Sequence, residues 1–573
     1  MDCMVAIRLR IFFLFAWTVL LPPASFAQQN SLESLLPGNT ILYFSWQGEA
    51  GMTAHKATNS VLRLWNDPEL APAHSMLAAG LLSPDSKDLP PLTPDEFKQL
   101  LSNPAMFAVF RLPAGVKPHE KKAGAKTGLG ASHFESVLLG VYDRAGREKL
   151  VDKCLQWSPP GKQAPAITKT AFHGMEIEEV KSGTDTNYRV LAGHYLVYSD
   201  YREVAEEWAA KLAGENPAAG TLGGTAEFRA ARQRAGNASA LSFFFNMRVL
   251  MEAVNEETKD EQSRRVFQAL HLDQIHSIVG SVSFDEPATR FQFSMLGNLD
   301  PGGLLGLIAP SRAEFPTMKM TPAGVFSYGA TRLDLSALYR FARAVFEAAV
   351  PPGQGVAFNQ IDDYATKQFG MSVNEMLQLL SGDFTFIKQD PEGDFSESVF
   401  ILGVEKPADV LHVIELLFSS GITSEETEGD VTYLSFAAPQ VSTPGKATAQ
   451  KKFYHLAIGP KMLVIAHRKA DARSYLARAR ATSGENSLAA DPKFLAARSR
   501  LPAELSSISY VDLTRVEWKD MVDKFTAFQK PAPDAQKLAE IKATFPSAAF
   551  TRYLHSMITG LWKDNTGIYY DGY

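Results

Sequence analysis

The chain has 573 residues, 45% of them hydrophobic and 21% charged, with a formal net charge of −6. This is the make-up of a globular protein with material for more than one core, and it excludes a collagen-like or disordered chain. Acidic residues outnumber basic ones 63 to 57, so the dense basic surface that phosphate backbones require is missing and no nucleic-acid partner is expected.

Arg8 and Arg10 precede an apolar run from Ile11 to Leu21, and Ser25-Phe26-Ala27 places small residues where a signal peptidase reads. Residues 1–27 therefore read as a cleaved secretory signal. Pro22-Pro23 ends the run short of the roughly 20 apolar residues that a membrane anchor needs, so no transmembrane span is expected after cleavage. Cys3 leaves with the signal and Cys154 is then alone, which forbids an internal disulfide. Size in place of disulfides points to the periplasm or exterior of a Gram-negative bacterium.

Past the signal, Ile41 to Ser45 reads as a strand, Ala54 to Trp65 as a helix, and Phe97, Leu100 and Leu101 mark a second helix before a strand at Met106 to Leu112. Val137 to Tyr142 is a strand candidate and Arg147 to Trp157 a helix. Four short strands follow, Ala166 to Phe172, Met175 to Val180, Tyr188 to Ala192 and Tyr195 to Ser199, with hairpin turns at His173-Gly174 and Gly193-His194. A helix at Ala226 to Arg234, a strand at Ala240 to Asn246, one long helix from Arg248 to Leu270 and a closing hairpin, Ile275 to Phe284 and Arg290 to Leu296, complete the first half. Plentiful hairpins make antiparallel neighbours, so the expected class is α+β.

The second half repeats this order. Leu36-Pro37-Gly38-Asn39-Thr40-Ile41-Leu42-Tyr43 lies over Thr321-Pro322-Ala323-Gly324-Val325-Phe326-Ser327-Tyr328, and Leu196-Val197-Tyr198-Ser199 over Leu463-Val464-Ile465-Ala466. Phe228-Arg229-Ala230-Ala231-Arg232 lies over Phe494-Leu495-Ala496-Ala497-Arg498. A period of about 270 residues is far beyond that of solenoids, so each copy is expected to be a domain. The expected organisation is an internal duplication: signal 1–27, first α+β domain 28–299, linker 300–319 and second α+β domain 320–573, each mostly antiparallel sheet with packed helices. Loop insertions set the copies apart, at Pro113 to Ser132 in the first and Ala437 to Lys452 in the second.

Reactive signatures are missing. The chain has no Gly-x-Ser-x-Gly, Ser-x-x-Lys, His-Glu-x-x-His, Cys-x-x-Cys or P-loop. His271 with His276, and His173 with His194, lack acidic or thiol partners at ligand spacing. The acidic groups Asp362-Asp363, Glu256 to Glu261 and Glu425 to Asp430 read as solvated faces or helix starts. Arg232 and Arg498 recur after the same Ala-Ala pair; the structural reading has each holding helix carbonyls or a carboxylate of its own domain, the functional one an anionic ligand. No catalytic, metal or cofactor-binding residue is assigned, no cofactor is expected, and ligand-binding residues stay open.

The signal followed by Leu36 to Tyr43 resembles the opening of an exported bacterial family of unknown function, whose members begin Leu-Pro-x-Asp-Thr before a strand containing Tyr. Ile278-Val279-Gly280-Ser281-Val282-Ser283-Phe284-Asp285 and Gly302-Gly303-Leu304-Leu305 are similar to that group too. Asn39 stands for the usual Asp, and the second half departs further. The resemblance implies envelope localisation and an α+β fold, and it supplies no catalytic residue. The expected role is a periplasmic or secreted binding or interaction module, non-enzymatic, with an envelope protein, peptide or lipid as partner. The alternative is a secreted hydrolase whose active site assembles from scattered residues.

Overall fold

The computed structural model describes residues 32–48, 52, 55–70, 105–112, 134–141, 166–182, 185–192, 195–214, 220–235, 239–257, 261–284, 287–298, 303–350, 356–392, 397–418, 421–437, 453–481, 484–520, 522 and 535–573. They form two compact units. Of the described residues, those within 32–257, 275–296 and 522–553 belong to unit 1, and those within 261–274, 297–520 and 554–573 to unit 2. Helices and antiparallel strands make up both, so the fold class is α+β.

In unit 1 the strands are β1 (Thr40–Trp46), β2 (Ala105–Arg111), β3 (Phe134–Val141), β4 (Ala166–Phe172), β5 (Met175–Ser182), β6 (Asp185–Ala192), β7 (Tyr195–Ser199), β8 (Leu241–Asn246), β9 (Ile275–Ser283) and β10 (Arg290–Gly297). Side by side they run β10, β9, β8, β1, β2, β3, β7, β6, β5, β4. Two-residue turns set the hairpin registers. At the β4–β5 turn His173 and Gly174 both take positive φ, 49° and 74°, the conformation whose twist matches that of the flanking strands.

Unit 2 contains β11 (Ser327–Arg332), β12 (Leu380–Lys388), β13 (Val399–Val404), β14 (Ile422–Glu428), β15 (Val431–Ala437), β16 (Phe453–Ile458), β17 (Met462–Ala466), β18 (Ser507–Asp512), β19 (Ser556–Lys563) and β20 (Gly567–Gly572). They run β20, β19, β18, β11, β12, β13, β17, β16, β15, β14, the same order as in unit 1. Register is shared as well as order. From Tyr198 the ladder steps through Leu138 and Phe107 to Phe44, and from Ile465 through Phe400 and Phe386 to Gly329. Those end points sit next to Tyr43 and Tyr328, which the sequence also aligns.

Packing repeats with the backbone. Phe228 stands edge-on to Tyr43 and Phe244, with ring centroids 5.4 and 5.1 Å apart, and Phe494 stands edge-on to Tyr328 and Tyr510 at 6.5 and 5.3 Å. Each trio fills the core between a sheet face and a short helix, Ala226–Ala235 in one unit and Pro492–Arg498 in the other. The entry to each sheet is pinned alike: Leu222 donates its amide to the Leu36 carbonyl and Leu488 to that of Thr321, both at 2.8 Å. Because strand residues alternate faces, each sheet also buries a second set of apolar side chains, around Phe44 and Trp46 in unit 1 and around Leu434 and Leu456 in unit 2.

The compact units do not coincide with the sequence halves. The segment that follows β8, Thr258–Gln274, belongs to unit 2, and the segment that follows β18, Val522–Tyr553, belongs to unit 1. In unit 2 the helix Glu261–Ala269 packs on the helix Leu335–Ala349, where Gln262 donates to the Ala349 carbonyl. In unit 1 the helix Ser547–Tyr553 packs on Ser60–Trp65. There Arg552 reaches Asp67 and Glu69 at 2.8 Å each, and the Arg63 guanidinium lies 4.9 Å above the Tyr553 ring.

Several expected elements take different bounds. The single helix Arg248 to Leu270 is instead two, Met247–Glu257 and Glu261–Ala269, because its ends pack in different units. The helix expected from Ala54 starts at Ser60, where Asn59 Oδ1 accepts from the amides of Val61 and Leu62 and caps it. Residues 303–319, expected as linker, are built into unit 2: Arg312 pairs with Leu505, and Leu305, Phe315 and Met318 are buried. The helices expected around Phe97 and over Arg147 to Trp157, the turn Gly193-His194, the first loop insertion, the second beyond Ala437 and the signal lie outside the described residues.

Candidate functional site

A cleft of about 240 Å³ opens in unit 1 beside the Leu36-Pro37-Gly38-Asn39 segment, with an adjoining hollow of about 120 Å³. Its rim is made by a close approach of two loops. The Gly38 amide donates to the Gly220 carbonyl at 2.6 Å, and a Cβ at position 38 would lie 2.6 Å from that oxygen. Glycine is therefore required at position 38.

One wall is the last turns of the helix Arg202–Leu212. Glu207 and Lys211 sit one turn apart and pair at 2.6 Å, and the Lys211 ammonium lies 5.2 Å from the Trp208 ring centroid. The Lys211 side chain is only 8% exposed, so its stem packs against the protein while its head meets the cleft. Of its three donors, one is spent on Glu207. Opposite, Asn39 donates through Nδ2 to the Arg111 carbonyl at 3.1 Å. Asn39 Oδ1 is buried and has no hydrogen-bond partner. Arg111, which lines the adjoining hollow with Phe110 and Trp208, is paired with Glu256.

Unit 2 closes the corresponding corner with its own groups. Gly324 takes the place of Asn39; its amide donates to Asp491 at 3.0 Å and its carbonyl accepts from Arg515 at 2.6 Å. Gln389 and Tyr475, which replace Phe110 and Trp208, hydrogen-bond to each other at 3.2 Å.

The residues singled out in the sequence are engaged locally. Arg498 holds the carbonyls of Leu501, Pro502 and Ala503 at 3.2, 2.6 and 2.6 Å. Arg232 lies 3.6 Å from Glu33, which also accepts from the Tyr43 hydroxyl at 2.8 Å. Burial, with the Glu33 charge second, holds the Tyr43 phenol well above its usual range. His271 and His276 fall in different units, and His271 Nδ1 meets Gln274 at 3.0 Å. His173 sits at its hairpin turn against Phe172, and His194 lies outside the described residues. Asp362 accepts from Tyr339 and from the Val373 amide. Glu426 pairs with Lys469 at 2.6 Å, and Asp430 with Arg480. Among the described residues no group of three or more His, Cys, Asp or Glu side chains could hold a metal, and no helix is long and apolar enough to cross a membrane.

His455 is the titratable group of unit 2 best placed to give pH dependence near neutrality. Its Nδ1 meets the Ser435 hydroxyl at 2.8 Å; burial, then the nearby Lys469 and His467, lower its pKa. A lowered histidine value means that the unfolded chain takes up a proton the folded chain resists. This contribution to stability is therefore present above the ordinary value of about 6.5 and is lost as pH falls through the lowered one. Urea midpoints measured from pH 8 down to 5 should drop below about 6.5, and His455→Gln should flatten that slope.

Sequence reading missed a buried charge cluster. On one face of β5 and β6, Glu178 pairs with Arg189 at 2.6 Å, and the two side chains are 5% and 1% exposed. Lys169 on β4 reaches Glu178 at 3.0 Å and Glu176 at 2.8 Å, and these carboxylates raise the lysine's pKa. Arg189 Nε has no hydrogen-bond partner. The available signal was Arg189 standing inside the otherwise apolar run Tyr188 to Ala192.

No protein-family model matches the chain, and no curated protein matches it. Among solved structures, "Structure of crystal form III of TP0453" is similar at 13% identity over 51% of this chain and 91% of that one, with a TM-score of 0.24. So remote a likeness conveys no function.

Proposed function

We propose that this protein is a non-enzymatic binding or interaction module of the cell envelope, exported under the direction of residues 1–27, and that the cleft of unit 1 receives its ligand. The observation that carries the reading is that one cleft is lined both by Lys211, a nearly buried side chain with one of its three donors paired to Glu207, and by Asn39, whose buried Oδ1 accepts no hydrogen bond. An unsatisfied buried acceptor is costly, and a ligand that brings a donor relieves the cost. The fitting end group has an anionic or carbonyl oxygen for Lys211 and an N–H or O–H for Asn39 close by. A peptide's carboxyl terminus, with its last amide, has both.

Calorimetric titration of the mature protein with short peptides tests this. Peptides with a free carboxylate should bind at least tenfold tighter than the same peptides amidated, since a hydrogen bond to a charged group contributes about 1.5–3 kcal/mol. Lys211→Met should erase the difference. Equal binding of both forms, or turnover of ester, peptide or glycoside substrates, overturns the reading.

A further inference from the structure

Two sheets of one register in one chain create a folding hazard, because a strand of one half can pair with the equivalent neighbour in the other and keep its backbone hydrogen bonds. The charge cluster of unit 1 sits at ladder positions that have counterparts in unit 2. Glu178 pairs across β5 and β6 with Arg189, and Arg189 across β6 and β7 with Tyr198. At the same ladder positions of unit 2, Leu434 pairs with Leu456 and Leu456 with Ile465. Both pairs are buried, one ionic and the other aliphatic.

We infer that the Lys169, Glu178 and Arg189 cluster is a partner-selection key that makes β5 pair with β6 and not with β16. Exchange would set Leu434 against Arg189, burying the guanidinium with no carboxylate opposite, and Glu178 against Leu456, leaving that carboxylate only the exposed Lys169 of β4. A buried ion pair rarely outperforms a well-packed aliphatic pair for stability, and its best-attested use is to fix register or partner. The aliphatic pair at the equivalent site shows that this fold accommodates leucines there.

The experiment is refolding of the full mature chain from urea at rising protein concentration, with recovered monomer measured by size exclusion. The variant E178L/R189L makes the two sites alike; it should stay folded at equilibrium yet lose monomer recovery several-fold, the balance appearing as oligomers through exchanged strands. The charge-reversed K169E/E178R/R189E, which turns over all three members of the cluster, keeps the sites different and should recover like the parent. The inference is overturned if E178L/R189L recovers like the parent, if K169E/E178R/R189E recovers as poorly as E178L/R189L, or if E178L/R189L fails to fold at equilibrium, which would make the cluster a source of stability instead.

Discussion

Glu178→Leu should be among the most destabilising single substitutions in unit 1, at about 3–5 kcal/mol, because it leaves the Arg189 guanidinium buried without its carboxylate. Most domains have only about 5–15 kcal/mol in hand, so the variant should unfold at much lower urea. Arg189→Leu should cost less, since Glu178 keeps Lys169 at 3.0 Å and that lysine is 59% exposed, which lets water share the remaining charge. The double variant is expected to lie between neutral and about 1–4 kcal/mol more stable than the parent, as found for buried pairs replaced by apolar groups of similar volume. Urea denaturation of the three variants, followed by tryptophan fluorescence and circular dichroism, gives the non-additivity directly. If Glu178→Leu costs under about 1 kcal/mol, the carboxylate is not the guanidinium's essential partner.

What was legible in the sequence was whatever repeats with local period. Hairpin turns with glycine, alternation at Thr40–Trp46 and the paired motifs around Pro37 and Pro322 all act within a few residues, and they marked out the α+β class and the strands of the central ladder. Phe228 and Phe494, aligned by the paired motifs, hold equivalent places among aromatic neighbours. Three features were not legible. The residues following Glu257 read as one continuing helix because periodicity is blind to which core a helix packs on, and here the two parts pack in different units. Residues 303–319 read as a linker because of their prolines, yet Phe315 buries its ring in unit 2. The cleft escaped notice because Asn39, Arg111, Lys211 and Gly220 meet only through long-range strand and loop contacts, and none carries a motif. Glu178 and Arg189 are eleven residues apart on facing strands, a spacing that means nothing until the hairpin register is known.

Cutting the chain between the halves should be the most damaging change of all. A chain of residues 28–299 lacks Val522–Tyr553, which unit 1 contains, and a chain of residues 300–573 lacks Thr258–Gln274, which unit 2 contains. For unit 1 the loss includes Val522, 3% exposed, and the fully buried Ala549; burying a side chain such as Val522 is worth roughly 1.5–3 kcal/mol on its own. It also strips Asp67, only 3% exposed at its side chain, of the Arg552 guanidinium. The Asp67 pKa is lowered by the Glu69 amide first and by Tyr553 and Arg552 after it, so that contribution is present above the ordinary carboxylate range and fades as pH falls through the lowered value. Each half-chain alone should therefore unfold at lower urea than the intact protein, with a broad transition. Mixed or co-expressed, the halves should associate, because each holds the segment the other lacks, and their midpoint should rise with concentration as binding to the folded form requires. Two separately produced halves that are monomeric, fold with sharp transitions at the parent's midpoint and ignore each other when mixed would show that the exchanged segments are appendages and not parts of the units they join.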